Sequence, residues 1–489
     1  MSKSSGSGLA IGAAWMIAMR WAARLVGLAS TVVIARLLTP DDFGVVAVAL
    51  IVVGLLETIA YLGVDLSLIK DQDAAREDFD SAWTVQLAQG FLIAAALIAS
   101  ASFVASYFKE PRATAVIAAL ALRPIIDGLQ NIGIVYFRKD LDFAREFRFN
   151  LIAKLLGASI QIGAAWLLRS YWALVAGMLA ASVVSTLLSY LLHPYRPRLT
   201  WSRAAKVWSF SQWLLVSRVG AFLGKRSDEF IVGRLAGTAA MGSYHVVYEL
   251  ATMPTSEIIM PMRRALFPAL AARVNDVLAY RGTVLAALAS SVTVCFGLGL
   301  GLSGTADLVV PLVLGPQWLS AIPILRWLAL FGMLAAVTSV LEVPLWVAGR
   351  TDLSALLCWL ELALAVPLIL WAASRHGAEG AAFARVITSA MMLPIAAFTT
   401  RRACAISMRR QAATLLRPAL AGMAMAAAMA AVRVPPAASI VPMLLLKLAV
   451  GAAVYCTTLW VAWRVADRPP GIEASTLQTL ARLLRRRRT

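Results

Sequence analysis

Apolar runs of about 20 residues recur from one end of this chain to the other, each long enough to cross a hydrocarbon core of ~30 Å. Backbone groups inside a bilayer must be satisfied within the protein, so only helices and closed β-barrels can span it. Barrels need short alternating strands. Unbroken apolar stretches such as Val45–Leu56 exclude them. With 60% hydrophobic residues in 489, a water-soluble fold could not hide this much apolar surface. The sequence therefore specifies an all-α polytopic membrane protein.

The pattern predicts about fourteen transmembrane helices, near residues 9–38, 42–69, 81–107, 113–137, 147–168, 171–192, 205–235, 239–267, 283–303, 319–348, 353–373, 377–400, 413–432 and 439–463. Residues 304–318 are too short and too broken by Pro and Gly to span, and read as an outer loop or surface helix. The net charge of +19 sits between the spans, not on a soluble surface, which excludes nucleic acid as a partner. With the N-terminus in the cytoplasm, the inner loops carry Arg138, Lys139, Arg145 and Arg148, then Arg196, Arg198, Arg203 and Lys206, then Arg263, Arg264, Arg273 and Arg281, then Arg401, Arg402, Arg409, Arg410 and Arg417. Outer loops carry few cations, as the positive-inside rule requires, and both termini fall in the cytoplasm. The tail, STLQTLARLLRRRRT, spaces its leucines as a helix does and ends in four arginines. Such a segment can lie on anionic lipid or serve only as a topology anchor.

One helix-turn-helix is written twice. Residues 30–44 read STVVIARLLTPDDFG, and 230–244 read FIVGRLAGTAAMGSY. Arg36 matches Arg234 and Gly44 matches Gly242 at an offset of 198, where Arg20 also falls on Arg218, Leu25 on Leu223 and Leu37 on Leu235. The offset covers six helices, an even number, so the halves cross the membrane in the same sense, as in parallel-repeat transporters. This gives a six-helix lobe over 1–198, a second over 199–400, two further helices over 401–464 and a basic tail over 465–489. The expected arrangement is two parallel-related lobes around a central cleft. Arg36, Gly44, Arg234 and Gly242 are structural repeat anchors, the arginines suiting the C-terminal dipoles of their helices.

Ionisable groups inside spans are costly and mark pathways or pairs. Arg20 and Arg24 share one face of the first span. The seventh span carries Arg218, Lys225, Arg226, Asp228 and Glu229. Equivalent helices thus bring cations toward one cleft, which suits a substrate bearing phosphate, because arginine binds phosphate oxygens in bidentate fashion. Arg20, Arg24, Arg218, Lys225 and Arg226 are the substrate-binding candidates, and internal salt bridges to Asp228 or Glu229 are the alternative. Among the acids Glu57, Asp65, Asp127, Asp228, Glu229, Glu249, Glu257, Glu342 and Glu361, any could hold a coupling cation or neutralise arginines, as Asp127 could Arg123 one turn away. Glu57, Asp127, Asp228, Glu229 and Glu257 lead that group. No GxxxxGK[ST] is present, so nothing indicates an ATP-driven pump. The three histidines and four cysteines show no metal, disulfide or triad spacing, so neither a metal nor a cofactor is expected.

The stretch ARLLTPDDFGVVAVALIVVGLLETIAYLGVDLSLIKD resembles the start of bacterial Wzx-type polysaccharide flippases, within the multidrug/oligosaccharidyl-lipid/polysaccharide exporter superfamily, which carry an A-R-x-L-x-P-x-D/E-[FY]-G turn there. VYFRKDLDFAREFRFNLIAKLLG looks like the fourth-to-fifth loop of the colanic-acid and exopolysaccharide branch. RSDEFIVGRLAGTAAMGSYHVVYELATMP is similar to its seventh-to-eighth hairpin. The likeness covers roughly residues 10–400. It implies two six-helix lobes in a V, two extra helices, and an inner-membrane flippase without catalytic residues. The implied cargo is an oligosaccharide repeat unit on undecaprenyl diphosphate, destined for exopolysaccharide or lipopolysaccharide. Arg20 and Arg24 lie in the span whose arginines contact the diphosphate in such relatives. Polysaccharide polymerase and glycosyltransferases would be its neighbours in the pathway. Competing readings are a cation-coupled drug antiporter of the same fold, which the cationic spans disfavour, and a membrane-embedded polymerase or ligase, for which no large outer loop is seen.

Overall fold

The turn at residues 37–44 shows how local sequence sets the first two helices. In a computed structural model of the chain, α1 (Ser4–Leu37) stops at Leu37 and α2 (Pro40–Ala60) starts at Pro40. Proline suits a first helical position, whose amide would have no partner in any case. Thr39 and Asp42 then form a reciprocal cap. The Asp42 carboxylate accepts from the Thr39 amide at 3.0 Å and its hydroxyl at 2.7 Å, and the Thr39 hydroxyl oxygen accepts from the Asp42 amide at 3.3 Å.

The remaining helices are α3 (Arg76–Phe108), α4 (Arg112–Leu120), α5 (Leu122–Gly128), α6 (Val135–Lys139), α7 (Phe143–Leu168), α8 (Trp172–Leu192), α9 (Gln212–Ala236), α10 (Thr238–Ala271), α11 (Val277–Gly304), α12 (Ala306–Val313), α13 (Ile322–Val347), α14 (Thr351–Cys404), α15 (Met408–Ala431) and α16 (Ile440–Val465), with 3-10 turns at Ile132–Ile134 and Pro316–Ala321. The structure describes residues 4–60, 68–69, 71, 73–140, 142–203, 212–432 and 439–465, the side chains of 4–14, 16–17 and 212–218 excepted. Asp65 and the basic tail beyond Val465 lie outside the described residues, as does the side chain of Arg218.

No strand occurs among the described residues. Ten of the described helices are long and apolar enough to cross a membrane, or eleven if Arg112–Gly128 and Ile132–Lys139 form one span bent by 63°. α14 is one of the ten, but its backbone breaks at His376 and Gly377, where Gly377 has φ +56°. Its 54 residues therefore hold two of the expected segments. α9 and α10 occupy the expected seventh and eighth segments without meeting the same test; α9 carries Arg218, Lys225, Arg226, Asp228, Glu229 and Arg234. The chain is an all-helical multi-pass membrane protein, and the expected count of fourteen is not reached by length and apolarity alone. Residues 304–318 form the short α12 and part of the second 3-10 turn.

By contact the chain divides into two compact units, Met1–Gly242 and Ser243–Thr489. This differs from a division by repeat after residue 198, because α9 and the first turn of α10 pack within the first unit. The reason is the duplicated turn. A Cβ on Gly44 would lie 1.9 Å from the Thr238 carbonyl oxygen, and one on Gly242 would lie 1.9 Å from the Pro40 carbonyl oxygen. Position 238 is position 40 shifted by the repeat offset, as 242 is 44. The two copies of the motif therefore meet each other, each glycine against the backbone of the other copy. Polar groups surround the junction. The Thr238 hydroxyl donates to Asp41 at 2.8 Å. Arg112 reaches Asp41 at 2.8 Å and grips both Glu110 oxygens at 2.7 Å. Asp42 also accepts from the Tyr171 amide at 3.1 Å, which ties in the start of α8.

Elsewhere in the first unit, residues 193–203 cross the start of α3 without regular structure. The buried Asp80 accepts from the Tyr195 hydroxyl at 2.7 Å and from the Arg198 amide at 2.9 Å. Thr84 accepts from the Thr200 amide at 2.9 Å. The fully buried Asn131 donates to the Tyr195 carbonyl at 2.7 Å and accepts from the Gly133 amide at 2.9 Å. Within the second unit, Leu288, Val292, Val337, Leu341 and Leu345 form the buried core of α11 and α13. α16 is fastened to that unit by Lys447 on Asp307 at 3.0 Å, and by the Tyr455 hydroxyl on the Thr293 carbonyl at 2.6 Å.

The glycine contact predicts that Gly44→Ala lowers stability by ~1–3 kcal/mol, since the obstructing atoms are backbone. Gly163→Ala, with nothing within 4 Å of the added carbon, should be neutral or stabilising. Thermal unfolding of the detergent-solubilised variants measures both, and equal melting temperatures would show that the turns do not depend on the close approach. A second prediction concerns pH. Hydrogen bonds from the Arg112 guanidinium hold the Glu110 carboxyl below its ordinary value. Its contribution is therefore present above the unfolded value of ~4.3 and fades as pH falls through the lower folded value. Between pH 5 and pH 3 the melting temperature of the wild type should fall more steeply than that of Glu110→Gln, and parallel curves would refute it.

Candidate functional site

α1 carries Arg20 and Arg24, both half-buried. The helix lies along α7: Trp15 packs on Phe147 with ring centroids 5.1 Å apart, the Asn150 amide approaches the Met19 sulfur at 3.5 Å, and Ser30 bonds Gln161 at 3.4 Å. Taking 1.5 Å per residue, Arg24 and Arg20 lie ~20 and ~25 Å along α1 from the turn at Leu37, well inside a span. On α9, Arg226 pairs with Glu229, whose side chain is buried, and the Glu229 amide donates to the buried Asp228 at 3.0 Å. The internal pairing considered from sequence is thus the arrangement of Arg226. Lys225 is exposed, and Glu257 is buried on α10. Arg234 stacks over Tyr107 at 5.3 Å, and Arg36 is exposed. The two repeat glycines make the junction; Arg234 is engaged beside it on the α3 aromatic.

Glu57 and Asp127 come together around Arg123. Arg123 lies 4.0 Å from Glu57 and 3.5 Å from Asp127. Their side chains are 33–43% exposed, Glu57 on the span α2 and the other two on the short α5. What they face is an open-sided cavity of about 530 Å³ lined by α2, α3, α5, α6, α7 and α8 of the first unit. Gln86, Gln89, Gln130, Asn131 and Asn150 also line it. At its rim Arg138 pairs with Glu146 at 2.6 Å. Helix contact is close on its walls: a Cβ on Gly90 would strike the Pro124 carbonyl at 2.3 Å. The i,i+4 pair Arg123–Asp127 was legible in sequence, whereas the approach of Glu57 from another helix was not. The glutamines at 86 and 89, one turn apart and followed by Gly90, were the available signal for the cavity wall.

Two ion pairs within helices of the second unit follow the same pattern. Arg263 reaches Glu342 at 3.2 Å and lies over Trp346, and Arg385 reaches Glu361 at 3.6 Å and lies 4.3 Å over the Phe331 ring. Among the described residues no three His, Cys, Asp or Glu side chains are grouped as a metal site. The arrangement offers buried charge, a cavity lined by charged and amide side chains, and a tight turn-to-turn contact, which are the parts of a carrier.

Comparison with known proteins agrees. Residues 33–323 match the family described as "Polysaccharide biosynthesis protein". The chain is similar to the lipopolysaccharide biosynthesis protein WzxC of Escherichia coli (strain K12), 25% identical over 359 residues and covering 73% of each chain. It is also similar to the succinoglycan biosynthesis transport protein ExoT of Rhizobium meliloti (strain 1021), 26% identical over 302 residues and 61% of each. Among solved structures it shares the fold of the lipid II flippase MurJ in an inward closed conformation, with a TM-score of 0.75 at 12% identity over 92% of this chain and 99% of that one. An inward-facing multidrug MATE transporter superposes less well, with a TM-score of 0.56 at 16% identity over 78% and 95%. The match at 33–323 spans more than half of the sequence and takes in both copies of the duplicated turn, and the chain belongs to the polysaccharide biosynthesis protein family.

Proposed function

We propose that this protein is a flippase that moves undecaprenyl-diphosphate-linked oligosaccharide repeat units from the cytoplasmic to the periplasmic leaflet, for exopolysaccharide or lipopolysaccharide assembly. The observation that carries the reading is the family match running through both repeat turns, on a fold shared with a lipid II flippase. In this reading the protein sits in the bacterial inner membrane with both termini cytoplasmic. The lobes 1–198 and 199–400 alternate access, and the helices over 401–464 flank the lipid tail. No bond is made or broken in the cargo, so the task is to carry a diphosphate and its sugars past an apolar layer. Arginine suits the diphosphate, because its guanidinium meets phosphate oxygens in bidentate fashion and keeps its charge at any working pH.

Arg20, Arg24 and Arg218 are the proposed diphosphate ligands, with Lys225 as an exposed auxiliary. Arg226, paired to Glu229, holds α9 in shape. Glu57, Asp127, Asp228, Glu229 and Glu257 supply charge balance or coupling. The interlocked turns at Gly44 and Gly242 are the outer closure, which must part for release. Polymerase and glycosyltransferases of the same assembly line are the proposed partners.

The first experiment is a deletion strain from which lipid-linked sugars are extracted and assigned to a membrane face in spheroplasts. Intact repeat units held on the cytoplasmic face, with polymer lost, is the expected outcome. Units that reach the periplasmic face unpolymerised would assign the protein to a later polymerase or ligase step. Arg24→Ala should abolish polymer export while the protein remains folded and membrane-inserted, and normal polymer levels would remove Arg24 from the mechanism.

A further inference from the structure

The cavity of the first unit has a lining that a diphosphate does not explain. Among the described residues its lining arginines are Arg123, beside Glu57 and Asp127, and Arg138, beside Glu146. Among the described lining residues a dianion would meet one more carboxylate than cation. What the walls offer instead is amide. Gln86 donates its Nε2 to the Asp127 carbonyl at 2.9 Å, and Gln89 donates its Nε2 to the Ala60 carbonyl. Each keeps an amide oxygen that makes no protein hydrogen bond among the described residues. Gln130 is half-buried on the same wall, with its side-chain amide making none there either. Phe137 and Phe149, both buried, are among the apolar residues of the lining. Neutral amide groups, with ion-paired carboxylates able to accept hydroxyls, match a polyhydroxylated ring. The volume of about 530 Å³ lies within the range of small-molecule sites, ~300–1,000 Å³.

Its position also fits. Glu57 lies ~25 Å along α2 from Pro40, the depth at which α1 places Arg20. Asn150, which lines the cavity, touches Met19, the neighbour of Arg20 on α1. A helix bearing the arginines and a cavity bearing the amides thus share a wall. We propose that this cavity is a saccharide subsite that takes the uncharged sugar ring nearest the diphosphate. The inference rests on the flippase reading and deepens it. The sugar, not only the lipid diphosphate, is recognised, and recognition sits inside one half of the protein.

The test is equilibrium binding to the full-length protein in lipid nanodiscs. The probes are bare undecaprenyl diphosphate and the same lipid carrying the repeat unit, purified from the deletion strain. The wild type should bind the glycosylated lipid at least tenfold more tightly than the bare one. Gln130→Ala should narrow that gap, and Ser185→Trp, which fills the cavity, should close it. Both variants should leave bare-lipid binding unchanged. Gln130→Ala removes no protein hydrogen bond among the described residues and keeps the test valid if the tryptophan variant fails to fold. Equal wild-type affinity for the two lipids, or a gap that survives both substitutions, overturns the subsite while leaving the flippase reading standing. If the wild type binds neither lipid, the flippase reading falls and the subsite with it.

Discussion

The first unit depends on two backbone strands of atoms passing within the radius of a missing methyl group. Gly44 meets the carbonyl of residue 238 and Gly242 meets that of residue 40, so neither position can carry a side chain without moving a peptide. In a bilayer there is little hydrophobic force to press helices together, and close approach through small residues replaces it. The polar cluster around the junction follows from that approach. Thr238 can reach Asp41 only because the turns touch, and Arg112 then completes a ring that also holds Glu110. The individual exposed pairs are worth ~1 kcal/mol or less. Their role is to set the register in which the backbones meet.

The same economy governs the buried charges. An unpaired ionic group within the hydrocarbon layer is strongly disfavoured. Accordingly Arg226, Arg385 and Lys447 lie against carboxylates, as do the more exposed Arg123 and Arg138. A sequence crowded with intramembrane arginine suggests a cationic pathway. Much of that charge is engaged in ion pairs, one group of which lines the cavity of the first unit. What distinguishes Arg20 and Arg24 is their place on α1, at the depth of that cavity.

The fold class and helix order were legible because apolar length and loop charge are local properties. So was the correspondence of Gly44 with Gly242, which an offset in the sequence exposes. Their mutual contact was not legible, since an offset shows likeness and not adjacency. The cavity was invisible for a related reason. Gln86, Glu57, Arg123 and Glu146 belong to four different helices, and nothing in their spacing says that they share a void. Asn131 and Asp80, which pin residues 193–203, look like ordinary loop and helix-start residues until that segment lies across them. The break in α14 had a visible signal in Gly377, but the pairing of Arg385 with Glu361 across that break did not.

The junction of the turns has the form of an isologous interface, the kind that joins two copies in a twofold dimer. In a dimer every substitution falls on both faces at once. Joined in one chain, the faces are free to differ. Here both Pro40 and its counterpart Thr238 start helices, but only Thr238 has a hydroxyl, which it donates to Asp41 of the opposite copy. Duplication within a single chain thus lets one face of the contact supply the donor and the other the acceptor.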